Sequence, residues 1–175
     1  PELSDGFYLS LSRHLGAAII SRRIILSGKH GHNSTIEHIQ MRTDGTRCYC
    51  GRHGCMETLL SLESLLQENE TLDDFFQNVR SRDSSASSRW NRFLTDLADA
   101  VNMLHLIYDT NFILGGYIAQ YLCADDLDFL YKRIQQLTPF TEPHDFLLIS
   151  KMPQHSITIG AALPYIQAFL NRPDI

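Results

Sequence analysis

The chain has 175 residues and a mass of 20.0 kDa, enough for one sizeable domain and too short for two ordinary ones. With 43% hydrophobic and 20% charged residues it can build a core, which excludes broad disorder. A net charge of −5 excludes a chain whose main partner is a nucleic-acid phosphate backbone, and no apolar run reaches the roughly 20 residues of a membrane span.

The start, PELSDGFYLS, lacks the basic-then-apolar pattern of a signal peptide, so a cytoplasmic protein with no membrane partner is expected. The opening FYLSLSRHLGAAIISRRIILSG reads as two or three antiparallel strands, with breaks near Arg13–His14 and Ser21–Arg23. KHGHNST is a loop, IEHIQM a short strand, and RTDGTRCYCGRHGC an irregular loop punctuated by three glycines. From Met56 the period becomes helical, with Leu59, Leu60, Leu62, Leu65 and Leu66 as an apolar stripe. NETLDDFFQNVR is a second helix with Thr71 at its N-cap, and SRDSSASS a polar break.

RWNRFLTDLADAVNMLHLIYD carries Trp90, Phe93, Leu94, Leu97, Val101 and Leu104 at helical spacing and reads as a long buried helix. TNFILGG is a strand ending in a glycine pair, DDLDFLYKRIQQL a helix with Cys123 buried near it, and HDFLLIS a strand. TIGAALPYIQAFL closes the chain as a helix that Pro164 kinks or begins. Strands first, then alternating helices and strands, predict an α/β fold: a mixed sheet with helices packed on it, one domain over 1–175. The acidic starts LDDFF and ADDLD suit a helix dipole, and Arg22, Arg23, Arg80 and Arg82 suit a solvated surface.

Three of the four cysteines, Cys48, Cys50 and Cys55, fall on one loop, a grouping that suits a metal better than disulfides. A tetrahedral zinc site needs a fourth ligand, and histidine is the usual complement of three thiolates. His30, His32, His38 and His53 all lie nearby. His53, between the cysteines, would have to strain a tight loop to reach the same ion. His38 is expected on the preceding strand, which would anchor the loop to the fold.

The segment from His38 through CYCGRHGCME resembles the zinc signature of the ROK family (repressor, open reading frame, kinase), and RCYCGRHGCMET is especially similar to its NagC/XylR-type transcriptional repressors. The hairpin SRHLGAAIISRRIILSG, the FILGG turn and the TIGAALPYIQAFL helix are similar to other parts of that family. The resemblance implies a structural zinc knuckle held by His38, Cys48, Cys50 and Cys55, on the C-terminal lobe of an actin-like ATPase (ribonuclease H-like) domain. It implies a C-terminal part only, with the N-terminal lobe, the catalytic aspartate and any helix-turn-helix outside this chain.

By position, His38 and Glu57 match sugar contacts of the family's kinases, whereas Thr35 and Glu37 stand where those kinases have glutamate and glycine. The bulky Arg13, His14 and Leu15 in the hairpin and the lack of an assignable aspartate base predict no kinase activity. The expected function is the effector-sensing and oligomerisation region of a sugar-responsive repressor. Its expected partners are a second copy of itself in a homodimer or tetramer, a sugar or sugar phosphate, and a regulatory protein, with DNA reached only through a helix-turn-helix elsewhere. The alternatives are a sugar kinase fragment and an interaction scaffold that has lost sugar binding.

Overall fold

Gly6–Ser10 (β1) is apolar on both faces because it becomes the central strand, with Phe7 and Leu9 almost fully buried. The computed structural model describes residues 4–141, 143–152 and 155–171. On one side β1 pairs antiparallel with Gly16–Ser21 (β2), which in turn pairs with the short Ile24–Ile25 (β3). On the other side it pairs in parallel with Phe112–Gly115 (β4), and β4 with Leu147–Ile149 (β5), giving the order β3-β2-β1-β4-β5. Phe7 sits opposite Phe112 in this register, and their rings stack at 4.8 Å.

The hairpin between β2 and β3 turns at Arg22 and Arg23, both with positive φ (52° and 65°), the requirement of a two-residue hairpin turn. Arginine is a costly residue there, and Asp5 offsets part of the cost by accepting from the Arg22 N–H and the Ser21 hydroxyl, each at 3.0 Å. The glycine pair ending β4 is forced by contact. A Cβ on Gly115 would lie 2.0 Å from the Tyr8 hydroxyl, and one on Gly116, at φ +88°, would lie 2.5 Å from the Leu11 carbonyl oxygen.

The parallel pairings need crossovers, and these supply the helices. Glu57–Leu60 (α1), Leu62–Leu65 (α2), Leu72–Arg80 (α3) and Ser84–His105 (α4) precede β4, and Ala124–Leu137 (α5) joins β4 to β5. Thr71 caps α3 as expected, its hydroxyl oxygen accepting from the Asp74 N–H at 3.1 Å. Along α4, Phe93, Leu94, Leu97, Val101 and Leu104 are buried against the sheet and α5. Ser156–Leu170 (α6) is apolar yet exposed, with Tyr165 79% accessible, and Pro164 lies inside it rather than at its start. Among the described residues no helix is long and apolar enough to cross a membrane.

Several local expectations are corrected. IEHIQM is not a strand: the Ile39 N–H turns back to the Ile36 carbonyl, only Gln40 pairs, with Cys55, and the Met56 and Glu57 N–H groups bond to Ile39 and Glu37. The segment satisfies its backbone against the cysteine loop instead of the sheet, and His38 sits in a turn. The leucine stripe after Met56 is broken at Ser61, where the chain is extended so that the Leu62 N–H can reach the Ser12 carbonyl. SRDSSASS is no break beyond Asp83, which caps α4 through the Ala86 N–H at 2.8 Å and makes Ser84–Ser88 helical. Cys123 is exposed as the N-cap of α5, not buried. HDFLLIS opens as a 3₁₀ turn over His144–Phe146 before β5 begins.

Arg89 on α4 ties the helical layer together. It donates to both carboxylate oxygens of Glu70, at 2.6 and 2.9 Å, and to the Leu65 carbonyl at 2.8 Å, with its guanidinium 4.7 Å above the Phe75 ring. This contact holds the Glu70 carboxyl below its ordinary value of 4.5. Because the folded value is the lower one, the pair's contribution is complete above about pH 4.5 and fades as pH falls through the folded value. Arg89→Ala is expected to cost roughly 3 kcal/mol in urea unfolding at pH 7, because it strands a mostly buried carboxylate. The difference from wild type should shrink on acidification below pH 4.5.

Candidate metal centre and its surroundings

The loop from Thr46 to Met56 folds back on itself through paired glycines. Gly51 (φ +90°) and Gly54 (φ +65°) take left-handed conformations, and the Gly54 N–H bonds to the Thr46 carbonyl at 2.9 Å while its carbonyl accepts from Met41. The Cys48 N–H bonds to the Arg52 carbonyl at 2.7 Å, which closes the turn that carries Cys48 and Cys50. The fold-back brings Cys55 beside them, and the 36–39 turn brings His38.

The donor atoms of His38, Cys48, Cys50 and Cys55 all lie within 4.8 Å of one another. The Cys50 and Cys55 sulfurs are 3.6 Å apart, as are the Cys48 sulfur and His38 Nδ1. A disulfide needs about 2.0 Å, whereas zinc–sulfur bonds of about 2.3 Å at tetrahedral angles place sulfurs roughly 3.8 Å apart. The four donors therefore fit a tetrahedral metal ion. Without one, burial and then the neighbouring thiols push Cys55 up to about 12, while a backbone N–H from Arg52 leads the effects that lower Cys50. Their opposite shifts describe a thiol donating to a thiolate, an arrangement a cation replaces by taking both sulfurs.

The other histidines stand apart. His53 turns its Nδ1 to the Gly45 carbonyl at 3.1 Å, and His30 and His32 neighbour each other on an exposed loop. Glu57, the first residue of α1, is 5% exposed. Its Oε2 accepts from the Leu15 N–H and its Oε1 meets His14 Nδ1, both at 2.8 Å. Tyr49 presents its ring edge-on between His14 and His38, at 5.8 and 5.0 Å. Partial desolvation, then the charge of Glu57, keep its phenol above the usual range and hence protonated. Thr35 and Glu37 stay outside this polar group; the Glu37 carbonyl bonds to the Glu57 N–H.

Sequence reasoning weighed His14 only as bulk and did not single out Tyr49, although Cys-x-Cys spacing throws the middle residue to the side away from both sulfurs. It also missed the tie from Arg42, beside the loop, to Asp96 on α4. Asp96 is 3% exposed, and burial raises its carboxyl despite the opposing pull of Arg42. A charged residue inside an apolar helical stripe is the signal that marks such a position.

Residues 2–167 match the model of the ROK family. The chain belongs to the ROK family. This corrects the expectation of a resemblance to the C-terminal part only of a NagC/XylR-type repressor, because the family match runs through nearly the whole chain. Among curated ROK relatives, the chain is 35% identical over 81 residues to the DNA-binding transcriptional dual regulator NagC of Escherichia coli K12, an alignment covering 46% of this chain and 20% of NagC. It is 24% identical over a 180-residue alignment to an N-acetylmannosamine kinase of Haemophilus influenzae, covering 99% of this chain and 59% of the kinase. Its fold matches a ROK family glucokinase from Streptomyces griseus, solved with glucose and AMPPNP, at TM-score 0.83 and 21% identity, covering 95% of this chain and 62% of that one. The chain thus spans less than two thirds of these relatives, and the ROK fold is a mixed α/β sheet with packed helices carrying a His/Cys cluster compatible with a metal.

Proposed function

We propose that this ROK chain is the effector-sensing and oligomerisation region of a sugar-responsive transcriptional regulator, with structural zinc on His38, Cys48, Cys50 and Cys55. The observation that carries the reading is the contact between Glu57 and His14. It puts an imidazole into the hairpin turn where phosphoryl transfer calls for a small, flexible cradle, and it ties the sugar-facing carboxylate to that hairpin. Four protein donors close a tetrahedral zinc shell, so the ion would hold the loop and offer no open position for chemistry. The strand order, with an antiparallel β2 beside a parallel β1-β4-β5 set, supports an actin-like, ribonuclease H-like lobe bearing a zinc knuckle.

With Nδ1 committed to zinc, His38 would keep its proton on Nε2 and donate to a sugar hydroxyl. A second hydroxyl donating to Glu57 Oε1 would displace His14. That release passes into the β1–β2 hairpin and, through the bond from the Leu62 N–H to the Ser12 carbonyl at 3.0 Å, into α2. Homodimer or tetramer assembly, a regulatory protein partner, and DNA contact made outside these acidic 175 residues belong to the same reading.

Calorimetry with N-acetylglucosamine, N-acetylmannosamine and glucose is expected to detect binding of at least one. Glu57→Gln should weaken it about tenfold, or about 1.4 kcal/mol. Binding of none of these sugars or their phosphates would replace this reading with a scaffold that has lost sugar recognition. The kinase match over 99% of the chain favours a second reading, a sugar kinase, which ATP-dependent phosphorylation of any of the three would establish.

A further inference from the structure

A groove of about 650 Å³ opens between the 42–49 loop and helices α1, α2 and α4. Three guanidinium groups line it: Arg42 and Arg47 from the loop side, and Arg92 from α4. The carboxylates beside them are already committed. Asp96 accepts from Arg42, Glu63 pairs with Arg13, and Glu57 serves Leu15 and His14. Among the described residues neither Arg47 nor Arg92 has a hydrogen-bonded acidic partner. Arg92 acts on the buried Asp96 only through space.

The groove therefore holds two uncompensated positive charges in a chain of net charge −5. Scattered surface arginines are ordinary, but here two separate elements aim them, with a third, into one concavity. A planar guanidinium donates two parallel hydrogen bonds to a carboxylate or phosphate, and several around one anion exclude neutral ligands. The Thr46 hydroxyl, on the same wall, adds a further donor.

We propose that this groove binds a phosphate-sized oxyanion, free or carried by a small metabolite, through Arg42, Arg47 and Arg92. The anion competes with Asp96 for Arg42, so occupancy loosens the tie between the metal-bearing loop and α4. The site is distinct from the His38 and Glu57 contacts and does not rest on the sugar reading.

The test is calorimetry on the full chain at about 0.15 M salt, where loose surface attraction is screened. Inorganic phosphate, glycerol 3-phosphate and neutral glycerol are the probes. The phosphate-bearing probes are expected to bind saturably at one site per chain and glycerol not at all. Arg47→Gln/Arg92→Gln should weaken binding at least tenfold, while Arg133→Gln on α5, whose partner is Asp99, leaves it unchanged. Tighter binding of inorganic phosphate would identify the ion itself as ligand, and tighter binding of glycerol 3-phosphate a phosphorylated metabolite. Both glutamine variants replace exposed side chains, and circular dichroism melting checks that they fold. No saturable binding, or equal binding by the double variant, overturns the proposal. A chain that binds phosphate here but no sugar loses the sensor reading and keeps this site.

Discussion

Stripping the chain with a strong chelator is expected to lower its thermal midpoint by roughly 10 °C, with recovery on return of one equivalent of zinc. Structural zinc contributes about 10 to 16 kcal/mol in isolated fingers. Here the sheet and α4 form a core of their own, so only the loop and its docking depend on the ion. A share of about 4 kcal/mol, at about 2 to 4 °C per kcal/mol for a chain of this size, gives that shift. Elemental analysis should return one zinc per chain. His38→Ala should abolish it and His53→Ala should not, since His53 faces the Gly45 carbonyl and lies outside the cluster. A chain without zinc, or one whose melting ignores the chelator, would refute the metal assignment.

Gly54→Ala should be as damaging to the metal centre as removing a ligand, although it touches none. A Cβ there would lie 1.8 Å from the Arg42 carbonyl oxygen, at a φ of +65° that L-residues rarely adopt. Backbone must move, and the moving part is the hinge that brings Cys55 to Cys50. A loss above about 4 kcal/mol is expected, along with the zinc. Gly51→Ala supplies the comparison: φ is +90° but the space is open, so about 1 to 2 kcal/mol of backbone strain is the whole cost. Zinc content and urea midpoints of the two variants decide the matter, and equal behaviour would show that the close approach to Arg42 is not what holds the loop.

These effects trace back to features of unequal legibility. The Thr71 cap and the α4 stripe were readable because both are encoded within one or two turns of helix. The strand misassigned at IEHIQM has an acceptable apolar pattern, and nothing local says that its backbone groups will find Gly54, Met56 and Glu57 before they find a sheet edge. Cys123 misled in the opposite way. Cysteine is usually buried, yet here its backbone N–H and thiol both meet Asp126 in a capping arrangement on the surface.

The residues in their order already determined that three thiolates and a histidine would be available for a soft cation, that helices would follow the loop, and that the mixed sheet would begin with a hairpin. Spacing of a few positions along the chain suffices for each of these. Which histidine joins the thiols, where the Glu57 carboxylate goes, and which arginines share a groove were decided only by tertiary structure. His14 and Glu57 are 43 positions apart, and Arg42 and Asp96 are 54 apart. Such pairs form because sheet register and helix packing bring distant segments within hydrogen-bond reach, and a local pattern carries no record of that distance.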